Sequence, residues 1–308
     1  RLAIMNINPE IIKLIDGIKN DRAHGASELA RQAVEILKVV AERSLTGSVE
    51  QFLHEQREIG ERLMLVRPAM ASLFNIINRL LQITVEAQET SLDSIKRLTI
   101  SKADEAINSS SQAVAQTAYH VAQLIADSDR IMTNSYSSTV VASLKQTFTE
   151  HWNIEVITTR SGPRRSGERT AQQLGLYGIP ITFIDDTAMG LYISSVNKAV
   201  VGADRVCADG KVVNGIGTYQ LALAAKRVSV PFYVLCETLK FDSRLQGDEV
   251  DLEEKEPSEV FDLESFPPEV KAKNPFFDIT PPELITGIVT ENGLLLPQEV
   301  ISYIKQSI

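Results

Sequence analysis

The chain has 308 residues, 44% of them apolar, and a formal charge of -9 at pH 7; that length exceeds one ordinary compact domain and predicts two lobes, each with its own core. The acidic balance argues against general attraction to nucleic acid or to an anionic membrane, whose binders carry basic surfaces. Two cysteines, Cys207 and Cys236, are too few for a disulfide framework or a thiolate zinc site, which points to a cytoplasmic protein. No stretch has the apolar length of a membrane span, and the opening RLAIMNINPE lacks the long apolar core of a signal peptide.

The first 126 residues read as a helical domain. In PEIIKLIDGIKNDR, Ile11, Ile12, Leu14, Ile15 and Ile18 recur at helical spacing, and Pro9 near the start forfeits no hydrogen bond there. The same period runs through Leu29, Ala30, Ala33, Val34, Ile36, Leu37 and Val40 of ASELARQAVEILKVVAERS. The stretch SLDSIKRLTISKADEAINSSSQAVAQTAYHVAQLIADSDR supplies one or two further helices whose small and apolar positions suit helix-on-helix packing.

From residue 127 the rhythm changes to short apolar strands, RIMTN, NIEVIT, PITFID, KAVVGA, PFYVL and GIVT, with helix-length segments between most of them. Such alternation predicts a doubly wound, mainly parallel α/β sheet spanning 127–308, with its ligand crevice at the C-terminal strand ends. VCADGKVV, with Asp209 and Gly210 at a tight turn, reads as a small hairpin. Residues 244–270 hold ten carboxylates against Arg244 and Lys255, so they read as a solvated excursion or a partner surface.

Familiar nucleotide signatures fail. In NGIGTYQ, Gln220 stands where the third glycine of a dinucleotide fingerprint belongs, and no Gly-rich loop ends in Lys-Ser or Lys-Thr. No cofactor and no metal are expected. What remains is a set of strand-to-helix junctions suited to anions. The hydroxyl run of IMTNSYSST, including Ser135 and Ser137, opens the helix TVVASLKQTF, and NGIGT opens YQLALAAKR with Thr218 near its first turn; either could hold phosphate or merely cap its helix. Asp204 follows the strand of VVGADRV, where it is a crevice carboxylate or a turn residue. Arg160, Arg164, Arg165 and Arg169 crowd TTRSGPRRSGERTAQQL, a composition suited to bidentate phosphate contacts or to a solvated loop.

The ordered series VRPAMASLFN, the hydroxyl strand end, GIPITFIDDTAMG, VVGADRV, ADGKVVNGIGT, PFYVLCETLKF and NPFFDITPPELITGIVTENG resembles the family of initiation factor 2B alpha, beta and delta subunits, which also contains methylthioribose-1-phosphate isomerase and archaeal ribose-1,5-bisphosphate isomerase. The resemblance implies a helical N-terminal domain, a Rossmann-like C-terminal domain through which the chain dimerises, a ligand cleft between them, and a homodimer or dimer of dimers. The family's isomerases pair a Cys after the first strand with an Asp in a Gly-Ala-Asp motif as acid and base. Asp204 matches that Asp, and Ser135 occupies the Cys position with a hydroxyl far less acidic than a thiol.

Other departures run the same way. The isomerases' Arg-Gly-Ala-Gly phosphate motif reads HGAS here, so that His24, Gly25 and Ala26 take its place with Arg22 two residues earlier; Asn-Lys-Ile-Gly-Thr reads NGIGT, which keeps Asn214 and puts Gly215 where a substrate-contacting lysine belongs. A family Arg-Pro after the second strand is Gly162-Pro163, with Arg164 beside it, and Arg67 of VRPAMASL matches the remaining Arg-Pro. The resemblance therefore implies a regulatory, initiation-factor-2B-like protein that binds a phosphorylated sugar or nucleoside monophosphate, with an initiation factor as a further partner. The alternatives are an aldose-ketose isomerase of the ribose-1,5-bisphosphate or methylthioribose-1-phosphate type and an assembly subunit with an empty cleft.

Overall fold

A computed structural model describes residues 7–150, 153–260 and 262–306. The chain divides into two compact units between Gln112 and Ala113, inside a long helix that ends at Leu124, two residues before the boundary expected from sequence.

The first unit is helical. Helix α1 (Pro9–Asn20) begins with proline at its first position, and the Asn8 side chain accepts the N–H of Glu10. Ile11, Ile15 and Ile18 are buried, whereas Ile12 and Leu14 face outward at 40% and 45% exposure, so the apolar stripe is narrower than the sequence suggested. Helix α2 (Ala26–Arg43) buries all seven of its expected apolar positions. Helices α3 (Val49–Leu65) and α4 (Ala71–Glu86) pack on each other and on α2. Helix α5 (Leu92–Leu124) is one continuous element of 33 residues. Ala41, Phe52 and Ile95 close a cluster among α2, α3 and α5.

The second unit is built on a seven-stranded sheet. Its strands are β1 (Arg130–Thr133), β2 (Glu155–Thr159), β3 (Ile181–Ile184), β4 (Lys198–Val201), β7 (Phe232–Leu235), β9 (Gly287–Thr290) and β10 (Gly293–Leu295). They lie in the order β10-β9-β7-β4-β1-β2-β3, all parallel except β10. The hairpin of β5 (Arg205–Val206) and β6 (Val212–Gly215) forms as predicted, with Gly210 at φ 78, and gains a third strand, β8 (Phe277–Thr280).

The six predicted parallel strands are all present, and the five interior ones are apolar on both faces, whereas the edge strand β3 buries Ile184 but exposes Thr182 and Phe183. Ile131, Val156, Val200 and Val289 pack to one side, under helices α6 (Ser138–Thr149) and α7 (Ser166–Leu176) and the end of α5. Met132, Ile157, Val201 and Ile288 pack to the other, under α8 (Met189–Tyr192), α9 (Thr218–Arg227) and α10 (Pro297–Gln306). Strand side chains alternate faces, so such double burial needs an unbroken apolar run. Each fully buried large side chain contributes about 1.5–3 kcal/mol. The strand order reverses between β1 and β4, and in open parallel sheets the crevice forms at that reversal, beyond the strands' C-terminal ends.

The acidic excursion is largely exposed, as expected, but its middle is tied down. Glu253 is buried and pairs with Lys255 at 2.8 Å; Lys273 pairs with Glu254 at 2.9 Å.

Candidate functional site

At the end of β1 the backbone turns sharply, with Ser135 in the left-handed region at φ 67. Neutral groups hold it there. Its N–H donates to Ser161 Oγ at 2.7 Å, its carbonyl accepts the Thr170 hydroxyl at 2.8 Å, and its own Oγ lies 3.1 Å from Ser166 Oγ. Asn134 ties the neighbouring elements together: its Oδ1 accepts from Thr159 at 2.6 Å and Ser161 at 3.0 Å, and its Nδ2 donates to the carbonyl of Ile216 at 3.1 Å. Ser137 caps α6 by accepting the Val140 N–H at 3.3 Å. The N–H groups of Ser138 and Thr139, one turn too early for an intrahelical acceptor, make this end electropositive.

The loop after β2 is fixed by a carboxylate. Asp186 accepts the N–H groups of Ser161 at 2.7 Å and Gly162 at 2.8 Å. Gly167 is required here, since a β-carbon would lie 1.8 Å from the Thr159 carbonyl oxygen. The arginines of this region separate rather than converge. Arg164 stacks 3.8 Å above the Phe276 ring, with Lys255 5.0 Å from the same ring; Arg169 stacks 4.1 Å from the Tyr136 ring; Arg165 pairs with Glu168 at 2.5 Å.

Strands β4 and β6 deliver the remaining groups. A β-carbon at Gly202 would lie 2.5 Å from Ser137 Oγ, and one at Gly215 would lie 2.6 Å from Ser135 Oγ. Asn214 is buried and donates to Thr218 Oγ1 at 2.9 Å. Asp204, half-buried, pairs its N–H with the Val213 carbonyl at 2.9 Å. The fold therefore brings Ser135, Ser137, Asn214 and Gly215 to one sheet edge, with Asp204 two residues past Gly202.

Three participants at this edge escaped the sequence reading. Asp278, opposite Asn214 in the β6–β8 register, accepts the N–H of Gly217 at 2.7 Å and of Tyr219 at 3.1 Å. Burial pushes its carboxyl up to about 7, against the pull of the backbone N–H groups of Tyr219, Gly217 and Thr218. The α9 start, read as an anion site, is thus occupied from within the chain. Glu237 and Lys240, both almost fully buried, form an ion pair at 3.3 Å beyond β7, and Thr139 donates to Glu237 at 2.5 Å. Burial works against the Lys240 charge but is outweighed by Glu237, Cys236 and Asp204, so its pKa stands above the usual lysine value. The two charges of CETLKF, set after an apolar strand, were the available signal. Nearby, buried Arg205 pairs with buried Asp242, and burial lowers the Arg205 pKa to about 10.

The remaining sequence candidates belong to the first unit. Arg67 is buried and donates from Nε to the Ile18 carbonyl at 3.3 Å and to the Asp21 carbonyl, closing the end of α1. His24 Nδ1 lies 2.8 Å from Asp21 Oδ2, and its N–H donates to Asp21 Oδ1 at 2.6 Å. Gly25 precedes α2, donating to Glu28 at 3.0 Å; Ala26 is buried in the helix's first turn, and Arg22 is exposed. Among the described residues no group of three or more His, Cys, Asp or Glu side chains could hold a metal ion.

A family model described as the initiation factor 2 subunit family matches residues 22–297. Ribose 1,5-bisphosphate isomerase of Pyrococcus furiosus is 35% identical over 303 residues, covering 96% of this chain and 94% of that protein. A putative translation initiation factor eIF-2B subunit 2-like protein of Pyrococcus abyssi is 35% identical over 287 residues, covering 93% and 96%. Among solved structures, the translation initiation factor eIF-2B of Pyrococcus horikoshii superposes with a TM-score of 0.84 at 32% identity, covering 96% of this chain and 100% of the other. 5-Methylthioribose 1-phosphate isomerase from the same organism gives a TM-score of 0.79 at 26% identity, covering 97% and 88%.

Proposed function

This chain belongs to the initiation factor 2 subunit family, and within that family we propose that it is a regulatory, non-catalytic member that binds a phosphorylated sugar or nucleoside monophosphate at the α6 start. The observation that carries this reading is the environment of Ser135. Its Oγ contacts the Ser166 hydroxyl, and its backbone contacts are hydroxyls as well. Moving a proton between adjacent carbons needs an acid and a base poised near neutral pH, a pair worth about 10²–10⁴ in rate. A serine bonded to another serine is not such a group. Phosphate recognition by the helix start and the Ser137 region needs no titration. A translation initiation factor is the partner that this reading carries with it.

A second reading, aldose-ketose isomerisation, is favoured by Asp204. That carboxylate stands half-buried past β4 and interacts electrostatically with buried Lys240, an arrangement suited to a proton-transfer group.

Thermal shift with a panel of sugar phosphates and nucleoside monophosphates tests binding; a ligand at 100 times its dissociation constant stabilises the fold by about 2.7 kcal/mol. Turnover of ribose 1,5-bisphosphate and methylthioribose 1-phosphate tests catalysis. The expected result is binding without turnover. Robust turnover that collapses in Asp204→Asn or His24→Ala establishes the second reading, and a gain of activity in Ser135→Cys shows that the missing thiol alone silences the site.

A further inference from the structure

The dipeptide Asn-Gly stands twice in the chain, at residues 214–215 and 292–293. It carries a reaction of its own. The main-chain nitrogen of the glycine can reach the amide carbon of the asparagine side chain, and without a β-carbon on the glycine little hinders the approach. The backbone must swing to bring the two together, so the surroundings of each asparagine decide whether they meet.

Those surroundings differ. Asn214 lies inside β6 at 6% exposure, opposite Asp278 in the register, and its Nδ2 donates to Thr218 Oγ1 at 2.9 Å. Asn292 is exposed, in the turn of Glu291 and Asn292 that joins β9 to β10, where Thr290 pairs with Gly293 and Gly293 has a φ of 105. Its side-chain Nδ2 donates to Tyr303 Oη on α10 at 2.9 Å, and its N–H donates to Thr290 Oγ1 at 3.1 Å.

We propose that Asn292–Gly293 is a site of spontaneous deamidation, guarded by Tyr303, whereas Asn214–Gly215 is protected by its strand. The Gly293 nitrogen gives its proton to solvent and bonds to Cγ of Asn292; the bond from Cγ to the side-chain nitrogen breaks, and that nitrogen takes a proton from solvent and leaves as ammonia. The cyclic imide then takes up water. Cleavage between Cγ and the ring nitrogen leaves aspartate, and cleavage between the main-chain carbonyl carbon and the same nitrogen leaves isoaspartate. Water enters and ammonia departs, with no redox partner.

Either product sets a new carboxylate beside Glu291. The Glu291 side chain accepts the N–H of Thr238 at 2.9 Å and its hydroxyl at 2.5 Å, which anchors the segment that carries Glu237 and Lys240. Isoaspartate also adds a methylene to the main chain inside a tight turn whose length fixes the strand register. Modification therefore loosens the β9–β10 turn. It requires no ligand and proceeds whichever reading of the Ser135 site is correct.

The test is warm incubation of the full chain in neutral and in alkaline buffer, followed by peptide mapping with mass spectrometry. Conversion of amide to acid at residue 292 should run at least about tenfold faster than at residue 214, because exposed turns open far more readily than strand interiors. It should quicken in alkaline buffer, where more of the attacking nitrogen is deprotonated. Tyr303→Phe, which keeps the ring against Phe241 and removes the hydroxyl, should speed it further; Asn292→Gln, which must close a larger ring, should abolish it. No conversion at residue 292, or equal conversion at residue 214, overturns the assignment. An unchanged rate in Tyr303→Phe overturns the guarding role of that hydroxyl. The acidic isoform, separated by ion exchange, should melt below the unmodified chain, and equal melting overturns the loosening of the turn.

Discussion

A β-carbon on residue 215 would lie 2.6 Å from the Oγ of Ser135 and 3.1 Å from its Cβ, so the serine after β1 and the glycine ending β6 fit only together. Gly215→Ala is expected to cost about 1–3 kcal/mol, the usual range for overpacking a filled site. Adding Ser135→Gly should return most of that loss, because it removes the colliding atoms at a position whose φ of 67 suits glycine. Denaturant unfolding of the single and double variants checks this; equal losses in both would show that the collision is not the cause.

Asp278 gives the stability a pH dependence of unusual sign. Burial raises its folded carboxyl to about 7, whereas an unfolded aspartate titrates near 3.9. Between those values the folded chain holds a proton that the unfolded chain has released, so this group's contribution to stability falls as pH rises from about 4 to about 7. Asp278→Asn removes the titration. Melting temperatures across that window should fall less steeply with rising pH in the variant than in the wild type; parallel curves would refute the assignment.

Two ion pairs of opposite burial should differ sharply in worth. Arg205 and Asp242 are each about 2% exposed or less, and removing the charge in Asp242→Asn leaves the buried guanidinium without its carboxylate, at a cost of about 3–5 kcal/mol. Arg165 and Glu168 retain 58% and 30% of their side-chain exposure, so Arg165→Ala should change stability by less than about 1 kcal/mol. Unfolding midpoints of the two variants provide the comparison.

Self-association is the fourth expectation. Leu176 at 86%, Leu191 at 74% and Phe183 at 46% exposure lie on α7, α8 and the edge strand β3, an apolar display beside unpaired strand edge groups. Sedimentation velocity should report a dimer or larger species at micromolar concentration, and Leu191→Glu should weaken it. A monomer across that range rejects the expectation.

The sheet was legible because its five interior parallel strands are buried on both faces and leave apolar runs that few other structures produce; all six parallel strands, including the half-exposed edge strand β3, fall where RIMTN, NIEVIT, PITFID, KAVVGA, PFYVL and GIVT stand. Strand β8, within NPFFDIT, and helix α10 were missed; β8 pairs only with the small hairpin and its middle residues are half-buried, so its pattern is weak. Candidates carried by one continuous junction, such as Ser135 and Ser137, could be placed at the end of β1 from local order. Asp278 could not: its meaning depends on a register that places it across from Asn214, 64 positions earlier in the numbering. Arg67 was equally unreadable in its local role, since sequence gives no sign that its guanidinium donates to the backbone carbonyls of Ile18 and Asp21.

Phe276, with Arg164 and Lys255 both against its ring, ties the middle of the acidic excursion to the chain just beyond it, beside the β2 loop, while Asp262, Glu264, Phe266 and Val270, between Lys255 and Phe276, lie at the surface. That stretch is therefore the natural place to lengthen the chain: loop closure costs only about 0.6 kcal/mol per doubling of length, and the ring clasp isolates the insertion from the strand ends. An epitope or fluorescent peptide grafted after Pro268 should report on the protein without disturbing the residues around Ser135.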